Sequence, residues 1–145
     1  MAFPISNLNS TGSCQCGNIR VSVTAEQNAQ GIQPRRCDCS YCKSNPSLII
    51  SHSSMVIQLT CNLADLIKEK NGDGLARFYR CPGCNTLIVV ACKITGIMRG
   101  AVNAEMLDCA GSLGETVNIS PKTLSASEKL ARWGNLWGRI QEYAL

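Results

Sequence analysis

At 145 residues, 45% hydrophobic and 17% charged, the chain can bury one domain's core and is too apolar for a disordered segment. Aromatics make up 5%, so the core is expected to be mainly aliphatic. The formal charge of +4 invites a polyanion or a membrane surface as partner, and the ten cysteines decide how far that invitation holds.

Met1 to Ser10 has neither a basic region nor an apolar one, so no secretory signal is expected, and no run approaches the ~20 apolar residues that span a bilayer. The expected setting is a reducing, cytoplasmic one, without membrane association. Cys14-Gln15-Cys16-Gly17 comes first, followed by Ile19, Val21 and Val23 alternating with Arg20, Ser22 and Thr24, a half-buried strand. The second cluster is Cys37-Asp38-Cys39-Ser40-Tyr41-Cys42, preceded by Arg35 and Arg36. Leu48 to Ile50 is a short apolar run, and Met55, Ile57 and Leu59 alternate as a further strand. Residues 63–70 fit helix or strand alike, and the charged run Lys68-Glu69-Lys70 reads as solvated surface. Asn71-Gly72-Asp73-Gly74 is a turn leading to a strand over 75–80. The third cluster, Cys81-Pro82-Gly83-Cys84, opens directly onto an apolar strand from Thr86 to Cys92.

Ser125-Ala126-Ser127-Glu128 matches a capping box, and Leu130, Trp133, Trp137 and Ile140 follow at helical spacing. They predict an amphipathic helix over about 127–143. Its apolar face suits packing on a sheet better than a partner or a second copy, although a homodimer through that face is compatible with the pattern. No composition break divides the chain, so 1–145 reads as one domain.

Cysteines two or three apart on turn-rich loops can aim several sulfurs at one soft metal ion. Disulfides are the alternative, but a ring closed across one residue strains their geometry. The C-x-C and C-x-x-C pairs at Cys14, Cys16, Cys81 and Cys84 together make a four-thiolate set. Cys37, Cys39 and Cys42 offer three sulfurs without an obvious fourth ligand. His52 is the chain's one histidine and could complete that set or act as a base, although a solvated turn histidine fits its Ser-rich surroundings better. Three thiolates on a dication leave the unit anionic, poor at activating water and suited to holding a thiol deprotonated. Seven thiolates and two such ions together lower the formal charge from +4 to about +1, which disfavours nucleic acid as partner. Cys61, Cys92 and Cys109 lie outside the clusters and read as packing thiols, Cys109 being the most exposed of them.

The order S-C-x-C-G and strand, C-x-C-S-x-C and basic residue, F-x-x-C-x-x-C and strand resembles the glutathione-dependent formaldehyde-activating enzyme family, the CENP-V/GFA domain, over about 12–110. The resemblance implies a mainly β, Mss4-like fold of small twisted antiparallel sheets stapled by zinc. It implies two Zn2+: a structural one on Cys14, Cys16, Cys81 and Cys84, and a catalytic one on Cys37, Cys39 and Cys42. The implied activity is that of a carbon–sulfur lyase, adding the glutathione thiol to formaldehyde or another small electrophile. Asp38 stands where the family usually has His and is a candidate base or partner of a ligand. Arg35 and Arg36 are candidate contacts for glutathione carboxylates. Asn85 stands where Gly commonly follows the last pair, and Asn tolerates the left-handed conformation such a turn needs. The competing reading is a non-catalytic zinc module that binds a protein or nucleic acid.

Overall fold

A computed structural model of the chain describes residues 7–37, 48–70, 75–119 and 124–142, and among these residues there are eleven strands, one α-helix and four short 3-10 turns. The strands are β1 Leu8–Ser13, β2 Arg20–Ala25, β3 Arg35–Cys37, β4 Ile49–Ile50, β5 Val56–Leu59, β6 Ile67–Lys70, β7 Arg77–Arg80, β8 Leu87–Ile94, β9 Ile97–Asn103, β10 Val117–Ile119 and β11 Gly138–Gln141. The helix, α1, is Ala126–Leu136.

The strands form one hydrogen-bonded network that forks at β9. One edge of β9 pairs with β8, which continues through β7 to β6. The other edge is shared. Arg99 and Gly100 pair with β11, which leads through β5 and β2 to β1. Val102 and Asn103 pair with β4, which leads through β3 to β10. The expectation of small antiparallel sheets is corrected here: the sheet is mixed, because β11 lies parallel to β5 and β10 parallel to β3.

Burial follows the alternation of the sequence. In β2, Val21, Val23 and Ala25 face inward, and in β5 Ile57 and Leu59 join Met55 in the core. β8 differs, since Leu87 to Cys92 are buried on both faces. Ile88, Val89 and Ala91 pack into the aliphatic core with Val23, Ile57 and Val102, whereas Leu87, Val90 and Cys92 pack with Phe78, Trp133 and Trp137. A strand covered on both faces reads as an unbroken apolar run. Residues 63–70 divide into a 3-10 turn at Leu63–Asp65 and β6, which pairs antiparallel with β7. The Asn71–Gly74 turn lies outside the described residues.

The capping box forms as its spacing predicts. The Ser125 hydroxyl accepts from the Glu128 N–H at 3.2 Å, and Glu128 Oε1 accepts from the Ser125 N–H at 3.0 Å. That backbone N–H, then the Ser125 hydroxyl, holds the Glu128 carboxyl below its ordinary value. The support is therefore present above the ordinary carboxylate pKa and is lost as pH falls through the lower, folded value. Ser125→Ala is expected to lower stability by about 1 kcal/mol at neutral pH. Glu128→Gln should flatten the loss of helix on acidification below about pH 4.5, read by circular dichroism; an unchanged acid profile would count against the box.

The helix ends earlier than its periodicity predicts. Trp133 and Trp137 stack with centroids 4.6 Å apart and planes within 8°, but Trp137 is already extended, and residues 138–141 form β11 rather than a fourth helical turn. Gly138 and Ile140 are buried while Arg139 and Gln141 are exposed, so a strand's alternation carries on the apolar spacing of the helix. Among the described residues no helix is long and apolar enough to cross a membrane.

Candidate metal centre

Two hairpin tips from different arms of the sheet meet at the four expected cysteines. Cys14 and Cys16 lie between β1 and β2, and Cys81 and Cys84 between β7 and β8. The loops are built alike. Cys14 N–H donates to the Ile19 carbonyl at 3.0 Å, and Cys81 N–H to the Thr86 carbonyl at 2.9 Å. Gly17 N–H returns to the Cys14 carbonyl at 3.0 Å, and Asn85 N–H to the Cys81 carbonyl at 2.8 Å. In each loop the residue after the second cysteine takes a positive φ: 78° at Gly17 and 63° at Asn85. Asn85 thus adopts the left-handed conformation expected of it.

The four sulfurs lie within 4.8 Å of one another, with Cys14 to Cys16 at 3.5 Å and Cys16 to Cys81 at 3.6 Å. Four ligands ~2.3 Å from a tetrahedral zinc would stand ~3.8 Å apart, a spacing the set can reach by small adjustments. The backbone also supports thiolate character. Ile19 N–H points at Cys14 Sγ at 3.4 Å and Gly83 N–H at Cys81 Sγ at 3.3 Å. Cys14 and Cys81 are buried, Cys84 half-buried and Cys16 exposed. The described cysteines are free thiols, so the metal reading stands and the disulfide alternative does not apply to them.

Thr86, which the sequence reading did not single out, ties the two loops together. Its hydroxyl lies 3.1 Å from Cys84 Sγ and accepts from Gln15 N–H at 3.4 Å. The Thr86 hydroxyl, with the Cys16 and Thr86 backbone N–H groups, brings the Cys84 thiol down to about 5. At Cys16 the Asn18 N–H pulls the other way, but the crowd of Cys14, Cys81 and Cys84 pushes the thiol up to about 12. Without a cation four adjacent thiolates repel one another, so they share protons; a divalent ion relieves that repulsion.

The second cluster is described only where it begins. Cys37 ends β3, with its backbone in register with Ile119 of β10. The side chain of Cys37, and Asp38, Cys39 and Cys42, lie outside the described residues. Arg35 and Arg36 are adjacent on β3, where successive side chains point to opposite faces, and they are half-buried and exposed respectively. They therefore do not form a single clamp. Burial, then the like charge of Arg132 on α1, lowers the pKa of Arg35. His52 Nδ1 is engaged within its own turn, 2.7 Å from the Ser54 hydroxyl and accepting from Ser54 N–H at 3.1 Å, as the turn reading expects. Of the remaining thiols Cys92 is buried, and Cys61 and Cys109 are half-buried against the core.

A cleft of about 670 Å³ opens on the face of β1, β2 and β5 beside the first metal loop, where Thr11, Arg20, Ser22, Gln58, Thr60 and Asp108 contribute to its lining. None of the described site residues lines it. Only strand register brings its polar residues together, with Ser22 opposite both Thr11 and Gln58.

These features define a mainly β protein with a four-cysteine centre able to hold one metal ion. No family model and no curated protein matches the chain. A solved crystal structure of a Rhodobacter sphaeroides protein shares the fold, with a TM-score of 0.58 and 21% identity, over 75% of this chain and 99% of that one.

Proposed function

We propose that the protein is a zinc-dependent carbon–sulfur lyase or synthase of the S-(hydroxymethyl)glutathione synthase type, with the Mss4-like fold of that family. It joins a thiol, glutathione first among them, to a small electrophile such as formaldehyde or another reactive carbonyl. The observation that carries this reading is the completeness of the first centre. Cys14, Cys16, Cys81 and Cys84 already supply four donors within 4.8 Å. Cys37, Cys39 and Cys42 are then free to hold a second ion with one coordination position left for substrate. Bound there, zinc supplies a thiophilic positive charge that favours the deprotonated form of an incoming thiol.

The chain's own residues account for the rest of the chemistry. Arg35 offers positive charge to a substrate carboxylate from the strand that delivers Cys37. Asp38 is the candidate to take the thiol proton. The new bond joins sulfur to the carbonyl carbon, the carbon–oxygen π bond opens onto oxygen, and the proton lost by the thiol ends on that oxygen.

Cobalt substitution tests this directly. Glutathione is expected to shift the thiolate-to-cobalt absorption of the full chain, and formaldehyde with glutathione to yield the hydroxymethyl thioether in a nuclear magnetic resonance assay. Arg35→Ala should raise the KM for the thiol by about tenfold, the effect of losing a charge-assisted contact worth ~1.4 kcal/mol. A cobalt spectrum indifferent to every thiol, together with no turnover, would leave a non-catalytic zinc module as the better account.

A further inference from the structure

We propose that Arg80 is a positioning residue of the four-cysteine centre, bracing the Cys81–Thr86 loop in the shape that presents its two ligands. The inference rests on that cluster holding a metal ion. It is independent of the second cluster and of the reaction proposed above.

Arg80 is the last residue of β7 and immediately precedes Cys81, yet it is only 7% exposed. The β7–β8 register shifts between Tyr79 and Arg80, so that Tyr79 faces Val89 and Arg80 faces Leu87. The extra residue of this irregularity is Ile88 on β8, just after the metal loop, and the Arg80 guanidinium reaches that loop. There Nη1 donates to the Asn85 carbonyl at 2.8 Å, and Nε pairs with Glu69 Oε1 at 3.0 Å. The run Lys68-Glu69-Lys70, expected to be solvated, thus contributes a still partly exposed carboxylate to an ion pair whose arginine is buried.

The contact falls on the residue that needs it. Asn85 follows the ligand Cys84 and sits at φ 63°, a left-handed conformation that asparagine tolerates better than most residues but that still costs it more than glycine. Its N–H is already held by the Cys81 carbonyl at 2.8 Å, and Arg80 takes its C=O. Both backbone polar groups of the left-handed residue are therefore fixed. At the equivalent position of the other loop stands Gly17, which adopts φ 78° without such a penalty. Arg80 is what lets asparagine serve where the other loop uses glycine. Its two contacts diverge from one planar fork, a geometry that the single ammonium of lysine does not reproduce.

The test follows release of cobalt from the loaded full chain into excess chelator, by its thiolate-to-cobalt absorption. Residues that orient metal ligands typically change affinity 10- to 100-fold, so Arg80→Lys should release the ion at least about tenfold faster. Glu69→Ala, which removes only the outer anchor, should give a smaller increase in the same direction. Adding Asn85→Gly to Arg80→Lys should slow release back toward the wild-type rate, because glycine holds the left-handed turn unaided. Trp133→Leu, in the other core cluster, lowers stability without touching the loop and should leave release unchanged. Wild-type release from Arg80→Lys, equal acceleration by Trp133→Leu, or no rescue by Asn85→Gly each overturns the proposal. If Arg80→Lys does not fold, Glu69→Ala decides: faster release supports the brace and unchanged release refutes it.

Discussion

Replacing Cys81 with Ser is expected to remove one metal ion per chain and to unfold most of the protein at 37 °C. A serine hydroxyl does not ionise at neutral pH, so three thiolates remain around the ion and the closed tetrahedral set is lost. Structural zinc sites bind with an apparent ~10–16 kcal/mol in small peptides, as much as the ~5–15 kcal/mol net stability of a whole domain. The centre also lies where the sheet most needs it. It joins the β1–β2 tip to the β7–β8 tip, and Cys16 meets Cys81 across 65 positions of sequence. Cys81 is 1% exposed and packs in the aliphatic core, so its replacement also buries a hydroxyl among apolar groups. Cys16→Ser, at an exposed ligand, should lose the metal with less damage to the core.

The same experiment on the middle cluster has the opposite expected result. If the proposed second ion binds there, Cys39→Ser and Cys42→Ser should each cost one ion per chain and leave the melting temperature within a few degrees of wild type. Metal analysis beside thermal melting reads both quantities. If Cys39→Ser unfolds the chain as Cys81→Ser does, the division into a four-sulfur structural centre and a three-sulfur reactive one is wrong.

The four-cysteine centre was open to sequence reasoning because ligand spacing is a local property. C-x-C-Gly and C-x-x-C-Asn each fix a tight loop, and Gly17 and Asn85 both take the positive φ that closes it. The strands around Val21, Ile57 and Val89 were legible for a similar reason, since their burial follows from a period of two or from an unbroken apolar run. What stayed hidden depends on register. Glu69 pairs with Phe78 and Arg80 with Ile67, so only the pairing of β6 with β7 reveals that the acid reaches the arginine. Thr86 reaches Cys84 and Gln15 only once the two loops face each other. The early end of α1 was masked by coincidence. Ile140 follows Trp133 and Trp137 at helical spacing, yet belongs to a strand and to the other core cluster.

The hidden strand carries the second large expectation. Gly138→Ala should lower stability by about 3 kcal/mol or more, the upper range for overpacking a closed site. Gly138 faces Gly100 where β11 enters between β5 and β9. A Cβ on Gly138 would lie 2.4 Å from the Met55 carbonyl oxygen and 2.7 Å from Met55 Cβ. On Gly100 it would lie 2.3 Å from the Val90 carbonyl oxygen and 2.5 Å from Ile140 Cδ1. Backbone oxygens cannot swing aside, so β11 would have to leave its place. That would also break the bonds that seat it: Gly138 N–H to the Ser51 hydroxyl at 2.7 Å, that hydroxyl to the Gly100 carbonyl at 2.8 Å, and Arg139 N–H to the Met55 carbonyl at 2.9 Å. The melting temperature should fall by roughly 10 °C for each single alanine. The double variant should fall by less than the sum, because either change alone displaces the same strand. Gly111→Ala, where an added Cβ meets nothing within 4 Å, serves as the control and should melt near wild type. If Gly138→Ala melts within about 2 °C of that control, then residues 138–141 are not held in the sheet, and the helix expected over 127–143 would again be the better description.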